Sequence, residues 1–139
     1  MRNKAGFARS VALLGGVTLA GFGAWAFLAP ESFYENLAVF PPFNRHFIHD
    51  IGAFQIGLGA VLLLAIPRGD ALFVALAGVA IGSAVHVVSH VLDNDLGGEA
   101  SDIPLLTILT VLLIAGAFAA VTSGRAKADD ATRPVAPRE

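Results

Sequence analysis

Four long apolar segments, separated by short polar links, dominate the hydrophobic pattern of this 139-residue chain. Each segment has about 20 residues, the length that a helix needs to cross roughly 30 Å of hydrocarbon. The links are too short to hold a second domain. The pattern therefore predicts an all-α, integral membrane four-helix bundle over residues 1–123, with spans at approximately 11–29, 47–66, 71–92 and 103–123.

Composition supports the membrane assignment. Hydrophobic residues make up 55% of the chain, charged residues make up 14%, and the mean hydropathy is +0.71. Average soluble domains carry far more charge. We therefore expect the lipid bilayer to be the main partner and expect no nucleic-acid partner. Cysteine is absent, which excludes disulfides and thiolate metal sites.

Two segments of the chain depart from the regular pattern. Residues 124–139 combine many charges with two prolines and one large aliphatic residue, a composition that predicts a disordered tail. At the other end, a basic start, an apolar run and the triplet Ala24-Trp25-Ala26 are also typical of a cleaved signal peptide. The apolar run is longer than a usual signal core, which favours a retained first span. Cleavage would leave three spans.

Basic residues are distributed unevenly along the chain. Of the nine Lys and Arg residues, all except Arg45 lie in the N-terminus, the second link or the C-terminal tail. In a four-span topology these three segments share one side of the membrane, and the positive-inside rule assigns that side to the cytoplasm. We therefore predict a multi-pass protein of the cytoplasmic membrane, with both termini and the tail inside.

All four histidines fall in two groups that this topology places at the outer ends of the second and third spans. Within each group the spacing puts the side chains on one helix face. The short turn at residues 67–70 predicts an antiparallel hairpin in which the two groups lie level. On the third span the same face continues through a G-x-x-x-G pair, which predicts close approach of another helix. The groups are His46, His49 and Asp50, then His86, His90 and Asp93, with Gly78 and Gly82 below the second group.

Ionisable groups inside a membrane are costly and indicate function. Imidazole nitrogens and carboxylate oxygens are ligands that suit zinc, iron and copper. We therefore predict a transition-metal site at the outer ends of these two spans, with a catalytic role left open. In this interpretation His46, His86 and His90 are ligands, Asp50 is a ligand or orients one, and His49 and Asp93 are peripheral.

Several alternatives remain open at this point. The same side chains would also simply close the outer end of the bundle through His–Asp pairs. A competing class of function is a non-catalytic accessory or assembly subunit, in a homo-oligomer or a larger membrane complex, whose helix faces with Gly16, Gly78 and Gly82 dock onto its partners. One histidine from each span would also serve as an axial ligand of a b-type haem. A quinone site or a proton relay is a further option.

The first outer link and the second span, together with the end of the third, resemble a group of small four-span actinobacterial membrane proteins that is loosely similar to the DoxX-like superfamily. The resemblance covers most of the chain apart from the tail. It implies a four-span fold and a shared site, and no established activity. The sequence departs from the family pattern at His49, where arginine is typical, and at Val85, where proline is typical. The matching residues are Phe33, Tyr34, Asn44, His46, Asp50, Gly52, His86 and His90.

Overall fold

The computed structural model describes residues 2–131, which form five helices and no strand. Four of the helices are long and apolar enough to cross a membrane. The predicted all-α four-helix membrane bundle is therefore confirmed, with span limits within a few residues of those expected at three of the four spans. The helices are α1 (Arg2–Leu28), α2 (Pro30–Asn36), α3 (Arg45–Ala65), α4 (Leu72–Leu92) and α5 (Asp102–Ala131).

The helical structure extends into the segment that the sequence predicts as a disordered tail. Helix α5 continues through residues 124–131 and ends at Ala131. Alanine, arginine and lysine in this stretch are good helix formers, so continuing the helix has little intrinsic cost. The remainder of the predicted tail, 132–139, lies outside the described residues.

The four long helices pack in the order α3, α1, α5, α4. Helix α1 makes its largest interface with α3 and a second one with α5, while α4 packs mainly against α5. Helices α3 and α4, at the two edges, touch each other only sparsely. The bundle therefore has an open seam between α3 and α4. We call the end of the bundle that carries residues 67–70 the turn end, and we call the opposite end the histidine end.

Glycines bring α1 and α3 into direct backbone contact. A Cβ atom at Gly23 would lie 2.7 Å from the Gly52 carbonyl oxygen, and one at Gly59 would lie 2.7 Å from the Gly16 carbonyl oxygen. The pairs Gly16–Gly59 and Gly23–Gly52 are two turns apart on both helices, so they define one antiparallel register. Close approach through small residues is how membrane helices gain packing energy without a hydrophobic driving force between them.

Helices α4 and α5 are joined in the membrane interior by a polar contact. The Ser83 and Thr110 hydroxyl oxygens are 2.7 Å apart, and the Thr110 hydroxyl also donates to the Leu106 carbonyl oxygen at 2.8 Å. Such pairing satisfies groups that would be costly if left unpaired in hydrocarbon. The contact also fixes the register in which α5 runs past α4. Two turns further along, that register brings the start of α5 beside the end of α4.

The outer surface of the bundle is apolar, as a lipid-facing surface requires. Leu14, Phe54, Val74 and Phe118 are all more than half exposed. The buried core is small and alanine-rich, and its fully buried large side chains are Leu62, Leu76 and Leu113.

The first outer link forms the short helix α2 and then crosses the histidine end. The Trp25 indole packs edge-on against the Phe33 ring, with ring centroids 5.4 Å apart. Further along, the Gly98 N–H donates to the Val39 carbonyl oxygen at 2.9 Å. This hydrogen bond ties the first outer link to the link between α4 and α5, so the two links together cover that end of the bundle.

The expected close packing at Gly78 and Gly82 is absent within the described chain. A Cβ atom at either position would meet no other atom within 4 Å. Because α4 packs against α5 instead of lying flat against α3, this face borders the open seam. Within the described chain no other helix approaches this face, and approach by a helix of another protein stays a prediction.

Candidate functional site

His86 and His90 face each other at the C-terminal end of α4. The two residues are one helical turn apart, and their Nε2 atoms are 3.1 Å apart, with ring centroids at 4.8 Å. Helix geometry explains the contact, because side chains at i and i+4 lie above one another on the same face. The two Nε2 atoms are therefore within hydrogen-bonding distance of each other.

Asp102 lies behind His90, on the other side of its ring. The Asp102 Oδ2 atom is 3.9 Å from the His90 Nδ1 atom, a distance that gives electrostatic attraction rather than a hydrogen bond. The same Oδ2 accepts the Glu99 N–H at 2.9 Å. Asp102 is the first residue of α5, where a negative charge interacts favourably with the helix dipole. The His90 and Asp102 side chains are only 16% and 13% exposed.

Phe40 covers this His–Asp pair. Its ring meets the His90 ring edge-on, with centroids 5.5 Å apart. A Cβ atom at Gly98 would lie 2.8 Å from both the Phe40 ring and the Asp102 Oδ2, and Gly98 also has a φ of +83°. Glycine is therefore required at position 98 for its backbone conformation as well as for space. Phe40 thus contributes to the burial of His90, whereas His86 is exposed.

His46 and Asp50 form a separate pair on α3. The His46 Nε2 atom is 3.6 Å from the Asp50 Oδ2, and these side chains are 87% and 54% exposed. The two residues are one helical turn apart and contact each other, as their spacing in the sequence predicts. Neither of them hydrogen-bonds or pairs with His86 or His90, and α3 and α4 touch only sparsely.

The two residues expected to be peripheral have other contacts. The His49 ring lies against the Phe27 ring of α1, with centroids 5.2 Å apart. Asp93 follows α4, and its backbone N–H donates to the Ser89 carbonyl oxygen at 2.9 Å. The six predicted site residues are thus distributed over four places, and the His86–His90 pair contains the well-buried His90 side chain.

Within residues 3–124, whose side chains the structure describes, no three His, Asp or Glu side chains are arranged as a metal-binding cluster. Asp102, His90 and His86 stand in a line, with His90 in the middle, and do not surround a common point. Three side chains in this linear order are compatible with two kinds of chemistry. A metal ion can bind between the two Nε2 atoms, or a proton can pass along the row of nitrogen and oxygen atoms.

A charged pair lies beside the site, at the start of α3. The Arg45 guanidinium donates to the Glu31 carboxylate of α2. The pKa of Glu31 is lowered from its usual 4.5, first by a hydrogen bond from its own backbone N–H at the start of α2 and then by Arg45. This pair holds α2 against the beginning of α3.

Sequence reasoning missed Asp102, Phe40 and Gly98. A signal for Asp102 was present, because an aspartate two residues before a proline is typical of a helix start, where acidic side chains are favoured. Its proximity to His90 depends on α4 packing against α5, which the sequence did not reveal. Phe40 and Gly98 lie in links whose path across the bundle leaves no periodic pattern.

Comparison of the chain with family models, with curated protein sequences and with solved structures found no match. The resemblance to DoxX-like proteins therefore stays a prediction. Two residues of that motif have structural roles here: the Asn44 side chain caps α3 by accepting the Phe47 N–H at 3.1 Å, and Gly52 permits the contact with α1. The ionisable residues of the motif are His46 and Asp50 on α3 and His86 and His90 on α4.

Proposed function

We propose that this integral membrane protein binds a transition metal ion at the histidine end, through the Nε2 atoms of His86 and His90. The observation that carries the proposal is the 3.1 Å separation of these two nitrogens. Zinc–imidazole bonds are about 2.0–2.1 Å long, so two nitrogens of a tetrahedral site lie roughly 3.3 Å apart. The pair needs to open by only a few tenths of an ångström to hold a metal.

Asp102 would position His90 for this role. A metal-binding histidine commonly presents its second ring nitrogen to a carboxylate, which fixes the tautomer and makes the ligating nitrogen more basic. Asp102 lies on the Nδ1 side of His90, while the Nε2 side faces His86. Phe40 packs edge-on against the His90 ring and so helps to fix its orientation.

Two protein ligands leave coordination positions for water or for a substrate molecule. Open positions distinguish catalytic zinc sites from closed structural ones. The proposal is therefore compatible with a catalytic centre, and it assigns no reaction. It also narrows the ligand set predicted from sequence, since His46 and Asp50 form their own exposed pair on α3. A haem held between α3 and α4 is less favoured for the same reason.

The orientation proposed for this site is the outer face of the cytoplasmic membrane. The basic residues of the N-terminus and of the turn at residues 67–70 lie at the end opposite the histidines. The positive-inside rule places that turn end in the cytoplasm. We also propose, on the motif residues alone, that the chain belongs with the DoxX-like membrane proteins.

A second candidate function is a proton relay without a metal. It is favoured by the serial order of Asp102, His90 and His86, in which one imidazole can donate to the next. A relay predicts that metal ions do not bind in stoichiometric amounts. Metal content therefore separates the two candidates.

The test is elemental analysis of protein that has been offered zinc, iron and copper in turn and then freed of excess ion. We expect about one equivalent of at least one metal in the wild type, as a site with high affinity would give. His86→Ala and His90→Ala should each lose it, because neither remaining imidazole chelates alone. His46→Ala is the matched control, since it removes a histidine at the same end of the bundle, and it should keep the metal.

Two results would contradict the metal proposal. One is a wild-type content below about one tenth of an equivalent for every metal offered, far from the occupancy of a specific site. The other is an equal loss in His46→Ala and in His86→Ala, which would show binding to exposed histidines in general.

A further inference from the structure

An open apolar groove lies in the seam between α3 and α4, next to the turn end. Its volume is about 420 Å³. The α3 side is formed by Leu58 and Val61 and the α4 side by Val74 and Gly78, while Arg68 lies at its turn end. The groove exists because α3 and α4 pack against α1 and α5 and only sparsely against each other.

The groove is open sideways, towards the position of the bilayer. Val61 is 49% exposed and Val74 is 70% exposed. A Cβ atom at Gly78 would meet nothing within 4 Å, so the missing side chain adds width in the middle of the groove. In a membrane, a narrow apolar groove of this kind fits a flexible acyl chain better than it fits the broad face of another helix.

One charge marks the end of the groove. Arg68 is the only charged residue among those that line it, and the three ion pairs formed among the described residues do not involve it. The nearby acid Asp70 lines a different cleft, which it shares with Arg9. An arginine guanidinium has the planar geometry and the donors that suit bidentate binding of a phosphate.

We propose that this groove binds one phospholipid, with an acyl chain against Leu58, Val61, Val74 and Gly78 and with the phosphate on Arg68. The length of the groove agrees with this occupant. On α3 the groove runs from Leu58 to Ala65, seven residues apart and so about 10 Å at the α-helical rise, and Arg68 follows in the turn after the helix. That length is about two-thirds of one leaflet of the roughly 30 Å hydrocarbon core, and one acyl chain occupies one leaflet.

An anionic lipid fits better than a zwitterionic one. Phosphatidylglycerol presents a phosphate with no compensating ammonium, so the single positive charge of Arg68 is complemented. Phosphatidylcholine carries its own cation beside the phosphate and gains less from the arginine. Because the groove lies at the turn end, this inference is independent of the proposed metal site at the histidine end.

The test is native mass spectrometry of the detergent-purified protein after addition of dioleoyl phosphatidylglycerol or dioleoyl phosphatidylcholine. We expect one phosphatidylglycerol to remain bound per chain at collision energies that remove phosphatidylcholine. Arg68→Gln should reduce the retained fraction about tenfold, the effect expected for the loss of a hydrogen bond to a charged group. Gly78→Leu should also reduce it, by filling the groove.

Two matched controls separate the groove from the rest of the surface. Arg9→Gln removes an arginine at the same end of the bundle, and Gly57→Leu adds the same side chain at a position of α3 with no neighbour within 4 Å. Both should keep the lipid, and circular dichroism checks that all variants fold. The inference is overturned if no lipid is retained, if Arg9→Gln loses it as readily as Arg68→Gln, or if a lipid-free dimer forms instead.

Discussion

The Asp102 carboxylate contacts two groups at the start of α5, the Glu99 N–H and the imidazole of His90. The first contact pairs a backbone group at the helix start, and in the proposed metal site the second would orient the ring. In Asp102→Asn the amide oxygen can still accept from Glu99, while the negative charge beside His90 is lost. We expect metal affinity to fall about 10- to 100-fold, as is typical when a group that orients a ligand is changed. Competition with a chelator of known affinity measures the change.

Ser83→Ala provides the control for Asp102→Asn. It removes a different polar contact between α4 and α5, the one to Thr110 in the membrane interior. Metal affinity should stay near the wild-type value. An equal loss in both variants would mean that Asp102 acts by holding the helices together and has no effect on His90 itself.

The charged pair Arg45–Glu31 gives a prediction about pH. The pKa of Glu31 lies below its usual 4.5, so the folded state favours the carboxylate. The stabilisation is therefore complete above pH 4.5 and is lost as the pH falls through the lowered pKa. In Arg45→Gln, carbon-13 NMR titration of the Glu31 carboxyl should show a midpoint that rises without reaching 4.5, because the larger cause, its backbone hydrogen bond, remains.

A midpoint that returns fully to 4.5 in Arg45→Gln would contradict this order of causes. The sequence showed both charges but gave no sign that they meet, since Glu31 and Arg45 are separated by the whole first outer link.

At the scale of the helices, the contact between α1 and α3 depends on glycines in register. Gly59→Ala would place a Cβ atom 2.7 Å from the Ala20 backbone nitrogen and the Gly16 carbonyl oxygen, so the helices must separate. We expect the free energy of unfolding to fall by about 1–3 kcal/mol, the usual range for overpacking. Thermal unfolding in detergent, followed by circular dichroism, measures it.

Gly57→Ala is the control on the same helix. Its Cβ atom would meet nothing within 4 Å, so stability should stay the same or rise slightly, because alanine is the better helix former. A similar loss in both variants would show that α1 and α3 are not in the contact described here.

Helix limits were easier to predict than helix partners. The spans predicted at 47–66 and 71–92 correspond to α3 and α4 within two residues, because the apolar runs end at prolines and charges. The partner of α4 was expected to be α3, since a short turn joins them. Helices that are apolar on every side carry no stripe that marks the packed face. What decides the pairing is the Ser83–Thr110 contact and the glycines of α1 and α3.

For the whole molecule, the distribution of basic residues predicts the orientation in the membrane. Single cysteines can be placed at Ser32 and Ala100, which are at the histidine end, and at Ser123, near the turn end. A membrane-impermeant thiol reagent applied to intact cells should label the first two positions, whereas position 123 should react only after permeabilisation. Labelling of position 100 only after permeabilisation would reverse the orientation and place the histidines inside.

The whole-molecule prediction of a membrane bundle followed directly from composition, whereas the site did not. His86 and His90 were found by their spacing on one helix. Their relation to Asp102 and Phe40 required the path of two links, which Gly97 and Gly98 allow by adopting positive φ angles. The hydrophobic pattern of a sequence predicts the limits of periodic helices well, but it predicts the paths of the irregular links between them poorly.

The most direct measurement is pulsed electron paramagnetic resonance of the wild-type protein loaded with one equivalent of copper(II), which detects the remote nitrogens of bound imidazoles. If His86 and His90 hold the metal, the spectrum will show two coupled imidazoles, and the signal of that pair will be lost in His90→Ala and kept in His46→Ala. A spectrum without coupled imidazoles, or one that changes in His46→Ala and not in His90→Ala, would contradict the proposed site.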